Sequence, residues 1–188
     1  MHRENNPLRK YEEHAYVLDF NPRGKSSTVR GREGVIVTAI GEDRLTLLEI
    51  LGVENSTFDV GEKIYIGKEG RTKVMSVLGK MEYEKISSSA QTELPAVVEN
   101  IVTTNEEKFV EYLNNARPLT PRIHALELIP GIGKTYMKTM LEEREKLKFS
   151  SYEDLQERVG FKEPIKHITE RIIDEITGQS RMSLFVKR

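Results

Sequence analysis

Cysteine is missing from the chain altogether, and so is tryptophan. The first absence removes disulfides, thiolate nucleophiles and cysteine metal sites together. Glutamine is scarce, at Gln91, Gln156 and Gln179, while 31% of the residues are charged. That combination leans toward a thermophilic source. A dominant sign of charge is lacking too, because 29 basic and 30 acidic side chains leave a net charge of −1. Without a global basic field, any contact with nucleic acid must come from local patches. No apolar run approaches the length that spans a bilayer, and no secretory signal pattern opens the chain. The expectation is a soluble, cytoplasmic protein with no membrane partner. A length of 188 residues suits one mid-sized domain or two small ones.

The pattern changes character near Ile86-Ser87-Ser88-Ser89-Ala90. Before it, apolar residues come in short β-rich runs; after it, they recur at helical spacing. This places a boundary between residues 1–88 and 89–188. In the first half, Ala15–Phe20, Gly34–Ile40, Arg44–Ile50, Val60–Gly67 and Lys73–Gly79 read as five strands, with Gly41-Glu42-Asp43 as a hairpin turn. Five short strands in about ninety residues suggest a small closed or half-closed β-barrel, OB-like first and SH3-like second.

The second half reads as an all-α domain, so the whole is α+β in two domains. Thr104 and Glu107 form a capping-box pattern ahead of Phe109, Val110 and Leu113. Thr120-Pro121 reads as N-cap and first helical residue, with Ile123, Leu126 and Ile129 as the buried stripe up to Pro130. A second helix runs from Lys134 to about Lys148. Ser151 and Asp154 cap a third, and Pro164 opens a fourth that stops at Gly178. Residues from about Thr92 to Ile101 add a helix with Pro95 in its first turn. The tail Arg181–Arg188 is open to two readings, a frayed basic end or a strand that docks on the barrel.

Leu128-Ile129-Pro130-Gly131-Ile132-Gly133-Lys134 is the most specific stretch of the chain. It reads as a helix end, a Pro-Gly-x-Gly turn and a new helix starting at the lysine. Such a helix start offers unpaired N–H groups and a positive dipole end, and glycines let a phosphate come close. From Pro121 to Val159 the order of elements resembles a helix-hairpin-helix segment of the competence-protein type, within a module at about 120–178. The resemblance implies phosphate contact at Gly131, Ile132, Gly133 and Lys134, with Thr135 and Lys138 nearby. Met137 stands where that family prefers alanine. The second turn, Val159-Gly160-Phe161-Lys162-Glu163-Pro164-Ile165, lacks the second glycine and carries an acid, so it reads as structural. Over nearly its full length the chain also resembles a family of uncharacterised archaeal proteins expected to bind RNA.

A second cationic stretch runs from Asn21 to Arg32 and holds four basic residues and no acid, Arg23, Lys25, Arg30 and Arg32. Arginine and lysine neutralise phosphates, and Ser26, Ser27 and Thr28 carry hydroxyls that can bond to them. Gly24-Lys25-Ser26 looks like the end of a phosphate-binding loop, but position 19 is Asp and the opening glycine is missing. Tyr16, Phe20, Phe58, Tyr65 and Tyr83 lie on or beside the strands and read chiefly as core. His2, His14, His124 and His167 are scattered without metal-ligand spacing, and His124 reads as a surface residue. With no nucleophile–base pair, metal cluster or nucleotide loop, neither an enzyme nor a cofactor is expected. The expected function is non-catalytic binding of nucleic acid, RNA ahead of DNA, through the phosphate backbone and with low sequence specificity. Alternatives are a DNA-binding protein of repair or recombination, and an interaction scaffold for proteins of the ribosome or the transcription machinery.

Overall fold

The structure, a computed structural model, describes residues 12–188. His2 lies outside the described residues. Contacts within the chain divide it into two units, residues 1–94 with 185–188, and residues 95–184.

The first unit is a five-stranded antiparallel sheet in the order β4-β1-β2-β3-β5, curled into a half-barrel. The strands are β1 (His14–Lys25), β2 (Glu33–Gly41), β3 (Leu47–Gly52), β4 (Lys63–Tyr65) and β5 (Val74–Lys80). The ladder is open between β4 and β5, so of the closed and half-closed barrels the half-barrel is the one formed. β1 carries register shifts between Val17 and Asp19 and between Asn21 and Gly24, and β5 pairs with β3 through further irregularities. Each such bulge bends its strand and adds twist, which curls the sheet. Ala15, Val17, Val37, Ala39, Leu48 and Ile50 alternate onto one face and form a core with Phe58, Ile64 and Ile66. The other face is buried as well, at Ile36, Ile40, Leu47 and Leu51. The β2–β3 turn closes on Leu45, whose φ of 56° is left-handed. The side chain is 1% exposed, and its burial offsets the cost of that backbone.

The tail docks on this unit. Lys187 N–H donates to the Arg44 carbonyl at 3.0 Å, and Thr46 Oγ1 donates to the Lys187 carbonyl at 3.0 Å. Phe185 and Val186 are buried.

The second unit is built from α1 (Ser88–Thr104), α2 (Glu106–Asn115), α3 (Lys134–Lys146), α4 (Tyr152–Val159) and α5 (Pro164–Ile176). The first part of α1, up to Leu94, belongs to the sheet unit, and the division falls at Pro95, inside the helix. α1 starts earlier than the apolar period suggests because the Ser87 hydroxyl accepts from Ala90 N–H at 3.0 Å. Thr104 does not cap α2. Its hydroxyl donates back to the Asn100 carbonyl at 2.8 Å, and Asn105 is the N-cap residue. Ser151 caps α4 by accepting from Asp154 N–H at 2.9 Å, and Gly160 ends it at φ 79°. Pro164 opens α5. Buried Tyr152 donates from its hydroxyl to the Val102 carbonyl at 2.7 Å. Arg144 donates to the Leu113 and Ala116 carbonyls at 2.9 and 2.8 Å, which satisfies the end of α2. Leu147, the residue after α3, is 69% exposed.

The helix expected from Thr120 to Ile129 is not formed. A single 3-10 turn, Ala125–Leu128, stands in its place. Before it the chain makes a tight loop, with Pro118 bridged to His124. Thr120 caps that loop by accepting from Arg122 and Ile123 N–H groups at 3.3 and 3.0 Å. Its hydroxyl therefore serves a local turn rather than a helix start. The cap of the 3-10 turn is His124, and the expectation of a surface histidine is corrected with it. The ring is buried, Nδ1 accepts from Leu126 N–H at 3.1 Å, and Glu127 bonds back to His124 N–H at 3.1 Å. Burial, then the Arg144 charge, lowers the His124 pKa despite Glu127. A neutral ring is what the cap requires, because only unprotonated Nδ1 accepts.

Candidate nucleic-acid interface

In the helical unit, Gly131 turns the chain at φ 83°, Ile132 is 4% exposed, and Gly133 is the N-cap residue of α3. Ile132 acts as the plug that fixes the turn. Lys134, Thr135 and Lys138 are exposed on the first turns of the helix. No side chain caps α3 and no acid lies in its first turn. Its first N–H groups therefore face outward at the positive end of the dipole. A Cβ on Gly133 would meet nothing within 4 Å, so the approach to these groups is open. Gly131 differs, because a Cβ there would come within 2.8 Å of the His167 ring.

The second turn repeats this design in altered form. Gly160 at φ 79° precedes buried Phe161, as Gly131 precedes Ile132. Glu163 then takes a left-handed φ of 54°, and Pro164 has no N–H to offer. Phe161 lies 5.6 Å from the Tyr136 ring and 5.0 Å from the His167 ring. With His167 against Gly131, this ring cluster packs the second turn behind the first.

In the sheet unit, Arg23 and Lys25 project from the end of β1, and Arg30 and Arg32 from the β1–β2 loop, all exposed. Arg23, Lys25 and Arg32 line one open groove of about 960 Å³; Arg30 does not line it. The groove also holds the turn Glu54-Asn55-Ser56-Thr57 after β3, a wall that sequence reasoning missed although its polar run marks a turn. Lys25 is 3.9 Å from Glu33.

The Ser26 and Thr28 hydroxyls are not available for phosphate. Ser26 Oγ and Thr28 Oγ1 both donate to the carboxylate of Glu49, the latter at 2.7 Å. Ser27 and Thr28 N–H groups donate to it as well, at 2.9 and 3.3 Å. Glu49 sits on β3 with 1% exposure, so the loop is wrapped around a buried anion of its own. Burial pushes this carboxyl up, but the bonds from Ser26, Ser27 and Thr28 together outweigh it and hold the pKa below the ordinary 4.5. Thr28 also packs on Gly79 of β5, where a Cβ would come within 3.3 Å. The basic loop is thereby given one shape, with the Ser26 and Thr28 hydroxyls turned inward and its arginines outward.

A curled antiparallel sheet followed by helices, with an exposed glycine turn at a helix start, defines a two-unit α+β protein. The chain belongs to the DUF655 family, described as protein of unknown function, which matches residues 11–187. It is 38% identical over 184 residues to the uncharacterised protein MJ0038 of Methanocaldococcus jannaschii, a match that covers 97% of this chain and 83% of that one. It is also similar to the crystal structure of Af1531 from Archaeoglobus fulgidus, at 39% identity and a TM-score of 0.80, over 94% of this chain and 100% of that one. Both relatives come from archaea. No helix among the described residues is long and apolar enough to cross a membrane.

Proposed function

We propose that this protein binds nucleic acid without catalysis, RNA ahead of DNA, in the cytoplasm. It grips phosphate backbones at two handholds, one in each unit. The observation that carries the reading is the exposed start of α3, where Gly133, Lys134 and Thr135 stand uncapped beside a left-handed glycine. Anions are stabilised at such a helix start by outward N–H groups and by the dipole. In this reading the helical unit works as a helix-hairpin-helix module. The half-barrel works as an OB-like platform that adds Arg23, Lys25 and Arg32 around its groove. Phosphate contacts carry no sequence information, so specificity is low and affinity depends strongly on salt.

The test is fluorescence anisotropy with a structured RNA and with a DNA duplex of matched sequence, over a salt series. Lys134→Glu reduces RNA affinity tenfold or more, which is about 1.4 kcal/mol. Undiminished binding by this exposed-site variant sinks the α3 handhold, and tighter binding to the DNA duplex moves the ligand from RNA to DNA.

A further inference from the structure

Side chains bridge the slit left where β4 and β5 fail to pair, Lys73 with Glu62 at 2.8 Å ahead of the two strands and Arg71 beyond β4. Arg71 donates from Nε to the Gly67 carbonyl at 2.6 Å, from Nη2 to the Ile66 carbonyl at 3.1 Å and from Nη1 to the Met75 carbonyl at 3.0 Å. The guanidinium thus joins the chain beyond β4 to the edge of β5 in place of a strand ladder. Beside this clasp lies a pocket of about 420 Å³, shared with neither the basic groove nor α3. Its apolar wall is Leu48, Ile66 and Val77, and its cations besides Arg71 are Arg44, Lys68 and Lys80. Glu12 also lines it, but that carboxylate is already engaged, accepting from Asp43 N–H at 2.9 Å and from Arg44 N–H at 2.5 Å.

We infer that this pocket binds a single nucleotide, its base against Leu48, Ile66 and Val77 and its phosphate among the cations of the rim. The volume lies in the range of small-ligand sites, too small for a folded segment and sufficient for one base with its sugar. The charge is complementary to a monoanion or dianion, because four cations and one carboxylate line the pocket. The wall is aliphatic, which suits the face of a base, and the Arg44 guanidinium, which donates to the Arg188 carbonyl at 3.4 Å, adds a planar cation of the kind that stacks on bases. The nucleotide can come free from solution or as the end of an RNA strand, and the chemistry recognised is the same.

The test uses the full chain with methyl-labelled leucine, isoleucine and valine, titrated with adenosine monophosphate, adenosine, inorganic phosphate and a 5′-phosphorylated trinucleotide. The expected result is saturable shifts at Leu48, Ile66 and Val77 with the nucleotide. Affinity for the nucleotide falls about tenfold in Lys80→Glu and in Val77→Trp. Val77 is 36% exposed at a sheet edge and Lys80 is exposed, so both variants retain the fold. Saturation by the trinucleotide at lower concentration than the mononucleotide identifies a strand end; the reverse identifies a free nucleotide. Identical shifts with inorganic phosphate alone overturn the inference, as does a lack of response at about 10 mM nucleotide. Either result leaves the α3 handhold standing, since that is read from Lys134.

Discussion

Glu49→Gln is the change that separates a loop held by a buried anion from a loop that merely covers one. The carboxylate Oε1 accepts from Ser26 Oγ, Thr28 Oγ1 and Thr28 N–H, and Oε2 accepts from Ser27 N–H. Glutamine keeps one acceptor. With that oxygen in the crowded position, its amide faces the Ser27 N–H, donor against donor. One buried donor is stranded at about 1–3 kcal/mol, and the remaining bonds weaken because they lose their charge. The sheet unit should lose about 2–4 kcal/mol, seen as a lower urea midpoint at unchanged slope. The pH dependence has a definite sign. The folded carboxyl is held below the ordinary 4.5, so in acid the folded state binds fewer protons than the unfolded chain. The stability it contributes is complete above about pH 4.5 and drains away as pH falls through the folded value. The gap between the parent and Glu49→Gln is therefore wide at pH 7 and narrows toward pH 3. Amide exchange at Ser27 and Thr28 quickens in the variant at pH 7. A loss below about 0.5 kcal/mol, with those amides still protected, would refute the account of the loop.

Two further substitutions probe the hairpin and the clasp. Gly131→Ala forces an alanine to a φ of 83° and drives its methyl into the His167 ring, so the helical unit loses about 1–3 kcal/mol in thermal unfolding. Gly133→Ala, at φ −81° with empty space around its Cβ, changes stability by less than about 1 kcal/mol but weakens RNA binding, because the methyl stands over the N–H groups of α3. Equal RNA affinity in that variant would remove the close-approach argument. Arg71→Met frees three carbonyls that are partly open to water, and the cost should be about 2–3 kcal/mol, with faster amide exchange on β5 than on β2.

What could be read from the sequence was local. The alternation of Gly34–Ile40 and the glycine after it mark β2 and its turn, because strand period and turn chemistry lie within a few residues. Ser151, Gly160, Pro164 and Gly178 mark the ends of α4 and α5 for the same reason, and Gly131 marks the hairpin. What could not be read depends on distant partners. Glu49 is the one charged residue in the apolar run Leu47–Leu51 of β3, and a lone acid there resembles a solvent-facing position. It is buried because Ser26–Thr28, more than twenty residues away, fold over it. Arg71 sits in a loop of ordinary composition, and its carbonyl partners give no local signal. Thr120-Pro121 carries a helix-start pattern, yet the Pro118–His124 bridge offers the same donors a turn instead. Of the candidate site, the glycines and cations were legible, whereas the inward orientation of the loop hydroxyls was not.

The missing first helix raises the question of what holds the Gly131 turn in place, since a single 3-10 turn has little rigidity of its own. The answer lies in α5. Arg171 and Glu175, 7% and 1% exposed, form an ion pair at 2.9 Å. Such a pair gains little in stability over apolar packing, because desolvation consumes most of the Coulombic attraction. Its value here is in the backbone it engages. Arg171 donates to the Leu128 carbonyl at 3.3 Å and to the Met182 carbonyl, and Glu175 accepts from Leu184 N–H at 2.9 Å. Two irregular segments, the one entering the hairpin and the one leading to the tail, are thus tied to one regular helix. Burial, with Glu175 beside it, pushes the nearby Tyr112 hydroxyl up to about 12. A helix would have positioned the turn through repeated backbone bonds. This chain positions it through one buried pair whose partners are fixed by direction, which is the kind of contact that specifies a geometry rather than merely stabilising it.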